Sequence, residues 1–223
     1  MQSAILMLAL AATAQSWEFK TGPKANVSVT NVDGSITVQG SAREDVVVEA
    51  TVSEGSGWTV DAHADGADVK VRACCGSCDG NGNRCHSGKV DFVLKVPEGS
   101  NLKATSVNAE ISVTGVAGAQ NLTTVSGRID SSGSASNVDV HSVSGDVRLS
   151  PNRLAETKAN TVSGDVQIKL PASADAKVRL STVSGKLNGQ KVGIGTGDKT
   201  FGNGAVAVKV TTVSGSVEAQ PSP

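Results

Sequence analysis

The chain has 223 residues, a mass of 22.4 kDa and a formal net charge of −1. That length gives room for one or two domains with a core, and the balanced charge provides no electrostatic surface for nucleic acid. Valine occurs 32 times and glycine 25 times, whereas leucine occurs 11 times and aromatic residues make up 2%. β-Branched residues and glycine favour short strands joined by tight turns. The composition excludes a helical bundle and predicts an all-β fold.

The first residues have the pattern of a secretory signal peptide. An uncharged apolar run, AILMLALAATA, covers residues 4–14 and ends in small residues. It is shorter than the roughly 20 residues of a membrane-spanning helix, and it fits the apolar part of a signal peptide. We predict a signal peptide at 1–14, cleaved after Ala14, and an exported mature chain without a membrane span that is periplasmic, at the cell surface or secreted. The alternative interpretation is a buried N-terminal strand.

Residues 15–99 form a β-rich but irregular part. The segment 26–39 predicts a hairpin with Asp33 and Gly34 as its two-residue turn. Apolar runs predict four further strands at 45–53, 58–63, 67–73 and 89–96, and the sequence PEGS then ends the last of them. Because the open end of a stack of repeats exposes apolar surface, we expect this part to cap the repeats that follow.

All four cysteines fall in one loop at 74–88 that is rich in glycine and asparagine. An even number of cysteines in an exported chain favours two disulfides. Bridging the neighbours Cys74 and Cys75 is sterically awkward, which leaves Cys74–Cys85 with Cys75–Cys78, the pairing we prefer, or Cys74–Cys78 with Cys75–Cys85. A zinc site is the alternative, since Cys75, Cys78, Cys85 and His86 offer three thiolates and an imidazole.

A repeated segment runs through residues 100–220. Six copies of a sequence close to TVSG contain valines that are 18, 18, 19, 21 and 30 residues apart, and a seventh copy, TNVDGSI, occurs near the start. Alternating apolar and polar residues flank each turn, which predicts strands with one buried and one solvated face. One such unit cannot bury its own apolar edge, whereas stacked units can. The pattern therefore predicts a β-solenoid with coils of about 18–21 residues, stacked roughly 4.8 Å apart.

Stacking would place equivalent residues in columns, so that the valine-turn segments occupy successive rungs and bury one another. One column would be hydroxyls (Thr124, Ser142, Thr161, Thr182 and Thr212), and another would carry charges (Arg128, Asp146, Asp165, Lys186 and Ser216), with Asp165 attracting Lys186. Glycine at the turns accepts positive φ at little steric cost. These structural turn residues are Gly34, Gly127, Gly145, Gly164, Gly185 and Gly215. A catalytic residue need occur only once, so this recurrence indicates scaffolding.

Other candidate chemistry is weak. The segment GIGTGDKT at 193–200 resembles a phosphate loop, but Asp198 stands where that motif requires glycine and no helix pattern follows. The three histidines, His63, His86 and His141, are far apart in sequence and near no nucleophile motif. We predict no catalytic residue, no cofactor and no metal site.

The reiterated TVSG units, the opening VTNVDGSITV and the link VDFVLKVPEG resemble the DUF4097 family of bacterial adhesin-like proteins, from about Val27 to Glu218. The resemblance implies one extracytoplasmic β-repeat domain over 15–220 and an adhesive role, with no catalytic residues to carry over. We expect a non-enzymatic binding or structural protein whose partner is an envelope or surface protein or a glycan. The alternatives are a carbohydrate-active β-helix enzyme, disfavoured by the shortage of aromatic residues, and an assembly module that joins proteins through sheet edges.

Overall fold

The computed structural model describes residues 13–53, 57–78 and 88–222. These residues form nineteen strands and no helix, so the all-β prediction is confirmed, and none of them belongs to a helix that could cross a membrane. The predicted signal peptide lies outside the described residues, apart from Thr13 and Ala14, which begin the first strand. The strands are β1 (Thr13–Lys20), β2 (Asn26–Thr30), β3 (Gly34–Ser41), β4 (Asp45–Val52), β5 (Trp58–Asp65), β6 (Asp68–Cys75), β7 (Val90–Pro97), β8 (Asn101–Ser106), β9 (Glu110–Thr114), β10 (Gln120–Ser126), β11 (Ile129–Ser132), β12 (Val138–Ser144), β13 (Val147–Ser150), β14 (Thr157–Ser163), β15 (Val166–Leu170), β16 (Ala176–Leu187), β17 (Gln190–Val192), β18 (Gly195–Phe201) and β19 (Val206–Pro221).

Two parallel ladders account for most of the strand pairing. The first ladder runs in the order β6, β2, β8, β10, β12, β14, β19 and β16. The second runs in the order β7, β3, β9, β11, β13, β15, β19 and β16. A sharp corner joins the two strands of each unit, whereas β19 and β16 are long enough to run through both ladders. All nineteen strands belong to one hydrogen-bonded sheet.

The order in space departs from the order in the chain at both ends of the ladders. The pair β2 and β3 lies between β6 and β7 on one side and β8 and β9 on the other. At the other end, β19 is inserted between β15 and β16. Asp165 therefore has Ser216 rather than Lys186 as its neighbour, and its Oδ1 accepts the Ser216 N–H at 2.7 Å. The predicted attraction between Asp165 and Lys186 is wrong for this reason.

Antiparallel strands extend the ladders at their ends. Strand β5 pairs with β6, and β4 pairs with β7 and carries β1 on its other side. Strands β17 and β18 pair with β16 at the opposite end. The insertion that separates the last two repeats thus forms strands on the edge of the terminal rung.

The core is a single cluster of mainly aliphatic side chains between the ladders, and the aromatic Phe92 is its largest fully buried member. In the unit made by β12 and β13, Val138, Val140, Val147 and Leu149 are at most 4% exposed. Period-two alternation directs these residues inward and their polar neighbours outward. The alternation read from the sequence therefore positions the core correctly.

The predicted hairpin at 26–39 is wrong. Strands β2 and β3 do not pair with each other but belong to different ladders. The side chain of Asn31 is buried at the bend, where its Nδ2 donates to the Val90 carbonyl at 2.7 Å and its Oδ1 accepts the Val32 N–H at 2.9 Å. These bonds stabilise a corner that sends the chain from one ladder to the other.

Close stacking of the corners explains why they contain glycine. A Cβ at Gly145 would lie 2.0 Å from the Gly127 carbonyl oxygen, and one at Gly164 would lie 2.4 Å from the Gly145 oxygen. Positive φ, the reason inferred from the sequence, applies to Gly34, Gly164 and Gly215 but not to Gly127, Gly145 and Gly185. Glycine is therefore required mainly because each corner rests directly on the next.

The corner valines face solvent, which corrects the expectation that they bury one another. They are 42–52% exposed. The preceding hydroxyl residues are instead at most 7% exposed and pair in register, for example Thr124 with Ser142 and Thr161 with Thr212. The predicted hydroxyl column is thus confirmed. Because successive residues of extended chain point to opposite faces, an inward hydroxyl forces the valine after it outward.

Candidate binding groove

A groove with a volume of about 610 Å³ crosses the outer face of the first ladder. It passes over six neighbouring strands, β6, β2, β8, β10, β12 and β14, which gives it a length of about 24 Å at the usual strand spacing. Two rows of outward side chains border it. One row consists of Asp68, Asn26, Asn101, Ala119, Asn137 and Glu156, and the other of Lys70, Ser28, Lys103, Asn121, Asp139 and Lys158.

A chain of amide hydrogen bonds orders the first row. Asn26 donates through Nδ2 to Asp68 Oδ1 at 2.7 Å, and Asn101 donates through Nδ2 to Asn26 Oδ1 at 3.0 Å. The Ala119 N–H in turn donates to Asn101 Oδ1 at 3.1 Å. The parallel register makes this possible, because it places Asn26 directly beside both Asp68 and Asn101. This edge of the groove is therefore preorganised.

Ionic groups of both signs line the groove. Three lysines are balanced by Asp68, Asp139 and Glu156. Lys158 Nζ lies 3.1 Å from Glu156 Oε1, and outside the groove His141 Nε2 lies 3.2 Å from Asp139 Oδ1. The surface thus offers amides, ammonium groups and carboxylates with no net charge, which suits an extended polar ligand rather than a polyanion.

The arrangement does not build a hydrolytic acid–base pair. Asp139 and Glu156 lie on neighbouring strands, but their side chains are 40% and 48% exposed and each has a basic neighbour. A glycosidase general acid is typically shielded from water in apolar surroundings. Both side chains are instead substantially exposed to solvent.

Shifted pKa values occur at the ends of the ladders, away from the groove. A hydrogen bond from Arg43 Nε to Asp45 Oδ1 at 2.6 Å lowers the pKa of Asp45 to about 2. Arg179 lowers the pKa of Asp198 through a hydrogen bond of 3.0 Å. Arginine–carboxylate pairing of this kind is a structural device of exposed strands.

One of the two disulfides in the pairing that the sequence left as second choice is present among the described residues. Cys74 is bonded to Cys78 across a Cα–Cα distance of 5.2 Å. Strand β6 ends at Cys75, and Gly76, with φ of 70°, turns the chain so that Cys78 returns to Cys74. The preferred pairing of Cys74 with Cys85 is therefore wrong.

The disulfides also remove the zinc alternative. Cys75, like Cys78, is disulfide-bonded, so neither residue offers a thiolate to a metal. Cys85 and His86 lie outside the described residues.

The remaining sequence candidates are dispersed. His63 lies on β5, 3.4 Å from Asp61, and His141 lies on β12. Most of the glycine-rich segment at 193–200 is extended chain in β18, where Asp198 binds Arg179 and Lys177. The groove itself is not apparent from the sequence. The sequence signal that could have revealed the groove is an asparagine before the first inward residue of three strands, at Asn26, Asn101 and Asn137.

A sequence profile of the Toastrack family, DUF4097, matches residues 20–219. The chain belongs to this family. The crystal structure of a "putative cell adhesion protein" from Clostridium sporogenes is similar to this Toastrack chain, with a TM-score of 0.56, 13% identity, and coverage of 95% of this chain and 100% of that one. A "putative adhesin" from Bacteroides fragilis gives a TM-score of 0.48 and 12% identity over 95% of this chain and 98% of that one. No curated protein sequence matches. At this identity, the likeness to the first structure shows the fold alone.

Proposed function

We propose that this Toastrack chain is an exported, non-enzymatic binding protein that holds an extended envelope or surface glycan in the groove. The observation that carries the proposal is the groove itself, which repeats hydrogen-bonding groups over six strands. Its ordered asparagines match the donors and acceptors of sugar hydroxyls, and its lysines match acidic sugars. The disulfide and the adhesin names of the structural neighbours support an extracytoplasmic, adhesin-like role.

The same proposal includes a solenoid architecture with coils of 18–21 residues. Residues paired across the first ladder support it, since Leu122 lies beside Val140, 18 residues on, and Val140 lies beside Ala159, 19 residues on. Such an arrangement gives a rigid, extended surface whose polar groups recur at every rung.

Binding should be weak, because the described side chains that line the groove include no aromatic ring on which a sugar could stack. A panel of bacterial envelope polysaccharides should therefore be measured against the full chain by calorimetry or glycan array. We expect at least one polysaccharide to bind without being cleaved. Turnover, seen as new reducing ends, would contradict the non-enzymatic role.

Substitutions in the groove test whether it is the binding site. Asn101→Ala combined with Lys103→Ala removes two polar groups from the middle of the groove and should weaken binding by about tenfold or more. Lys95→Ala is the matched control, since Lys95 is an exposed lysine on β7 of the second ladder. Equal affinities for the double variant and the control would refute the groove as the binding site.

A further inference from the structure

The large hydrophobic residues that are exposed among the described residues all lie on one line, which we call the corner stripe. Its members, in spatial order, are Val107 (42% exposed), Val125 (43%), Val143 (46%), Val162 (47%), Val213 (48%), Val183 (52%) and Ile194 (88%). Pairing of Ser126 with Ser144 and of Ser163 with Ser214 aligns the valines, and pairing of Thr182 with Gly195 sets Ile194 beside Val183. Seven rungs at the usual strand spacing make a stripe about 29 Å long.

A line of mostly charged side chains accompanies the stripe, three residues after each corner valine and three residues before Ile194. In the same spatial order it contains Glu110, Arg128, Asp146, Asp165, Ser216, Lys186 and then Lys191. Like charges are adjacent twice, in Asp146 with Asp165 and in Lys186 with Lys191. Such neighbours destabilise an isolated sheet. Three acidic and three basic groups also give the line no net charge, so it favours neither an anionic lipid surface nor a polyanion.

We propose that the corner stripe binds the corner stripe of a second copy of this chain, antiparallel, with a two-fold axis at Val213. In this register Asp146 faces Lys191 of the second copy, Asp165 faces its Lys186, and Ser216 faces its own equivalent. Both pairs of like charges are thereby relieved. The apolar residues also match in spacing, because another ladder has the same distance between rungs.

Other antiparallel registers with a longer overlap bring like charges together. An axis between Val162 and Val213 sets Arg128 against Lys191. An axis at Val162 sets Asp165 against itself, and one between Val143 and Val162 sets Asp146 against Asp165. The register centred on Val213 is the longest that avoids such contacts. It overlaps five rungs, from Val143 to Ile194.

The contact is narrow, so the association is weak. The five overlapping rungs cover about 24 Å, counting the full width of each strand. A single apolar line with one charged flank buries less than about 1,200 Å² of surface, which is the lower limit for stable, specific protein interfaces. The dimer should therefore form where copies are concentrated, as on a surface. This inference does not depend on the groove, which lies on the outer face of the first ladder.

Cysteine crosslinking tests the register in the full chain. Val213→Cys places two thiols at the two-fold axis, and the described residues contain no free cysteine to compete. Val107→Cys is the matched control, because Val107 is similarly exposed but lies outside the overlap. Under mild oxidation we expect Val213→Cys to form the covalent dimer at least tenfold faster than Val107→Cys. Equal rates, or a faster control, would overturn the proposal.

Charge reversal tests the partner contacts. In the Val213→Cys background, Asp165→Lys should reduce crosslinking to the rate of Val107→Cys, and adding Lys186→Asp should restore it. Arg128→Glu, outside the overlap, should leave the rate unchanged. Thermal unfolding confirms that each variant folds. Failure of the Asp165→Lys and Lys186→Asp pair to restore crosslinking would overturn the register. Binding to lipid vesicles without crosslinking of Val213→Cys would overturn the second copy as the occupant.

Discussion

Substitution of Gly145 by alanine should destabilise the fold through the stacking of corners. The new Cβ would lie 2.0 Å from the Gly127 carbonyl oxygen, 2.9 Å from its carbonyl carbon and 3.2 Å from its nitrogen. All three atoms are backbone, so no side-chain rotation relieves the contact and the two rungs must separate. Overpacking of this kind costs about 2–3 kcal/mol. For a chain of this size that corresponds to a fall in Tm of about 4–12 °C.

Gly193→Ala is the matched control for this substitution. Gly193 also lies outside the left-handed region, and a Cβ there meets nothing within 4 Å. Its free energy of unfolding should therefore stay within about 0.5 kcal/mol of the wild type. Urea denaturation followed by circular dichroism measures both variants. If Gly145→Ala is as stable as Gly193→Ala, the corners do not stack as closely as described, and the explanation of the glycine column fails.

Two further predictions concern single side chains. The hydrogen bond from Arg43 lowers the pKa of Asp45 from 3.8 to about 2, so the stabilising effect of this bond is present above the ordinary pKa and is lost as pH falls toward 2. An NMR titration should therefore give a midpoint near 2 for Asp45, and the midpoint should rise in Arg43→Ala. An unchanged midpoint would contradict the assignment. The hydroxyl of Thr124 is buried without a hydrogen-bond partner among the described residues, whereas Thr212 donates to the Ser214 carbonyl at 3.1 Å. Thr124→Val should therefore stabilise the protein by up to about 1 kcal/mol, and Thr212→Val should destabilise it by about 1 kcal/mol. Urea denaturation measures both changes in the free energy of unfolding, and changes of the same sign would refute this distinction.

The sequence predicts local structure well where it depends on the alternation of apolar and polar residues along one strand. The strands of the unit from Val138 to Leu149 and the buried hydroxyl column follow from period-two patterning alone. The order of the rungs does not, because the repeats are nearly identical. The corner at Val162 could rest equally well on the corner at Val183 or at Val213, and only the whole structure selects Val213. Similarly, Asp33 with Gly34 is compatible with a hairpin and with a corner, and the buried bonds of Asn31 decide between them.

The groove and the corner stripe were harder to predict for a different reason. Both consist of residues that are distant in sequence and become neighbours only through the register of the ladders. Asn26 and Asn101 are 75 residues apart, yet they share a hydrogen bond. The sequence shows that asparagine recurs at this position. The groove, however, depends on which of these asparagines become neighbours in the folded ladder.

Scaffolding alone does not explain the chemistry of the corner stripe. The residue two positions before each corner valine also points outward. These residues are Thr105, Thr123, His141, Asn160, Thr211 and Ser181. That position is polar and varied, as an ordinary solvated face should be. The outward corner position is valine in all six units, although threonine would serve the extended backbone equally well. Exposure of apolar surface without a partner is unfavourable in water, so the contrast between these two neighbouring rows favours a contact surface at the corner rather than a requirement of the turn.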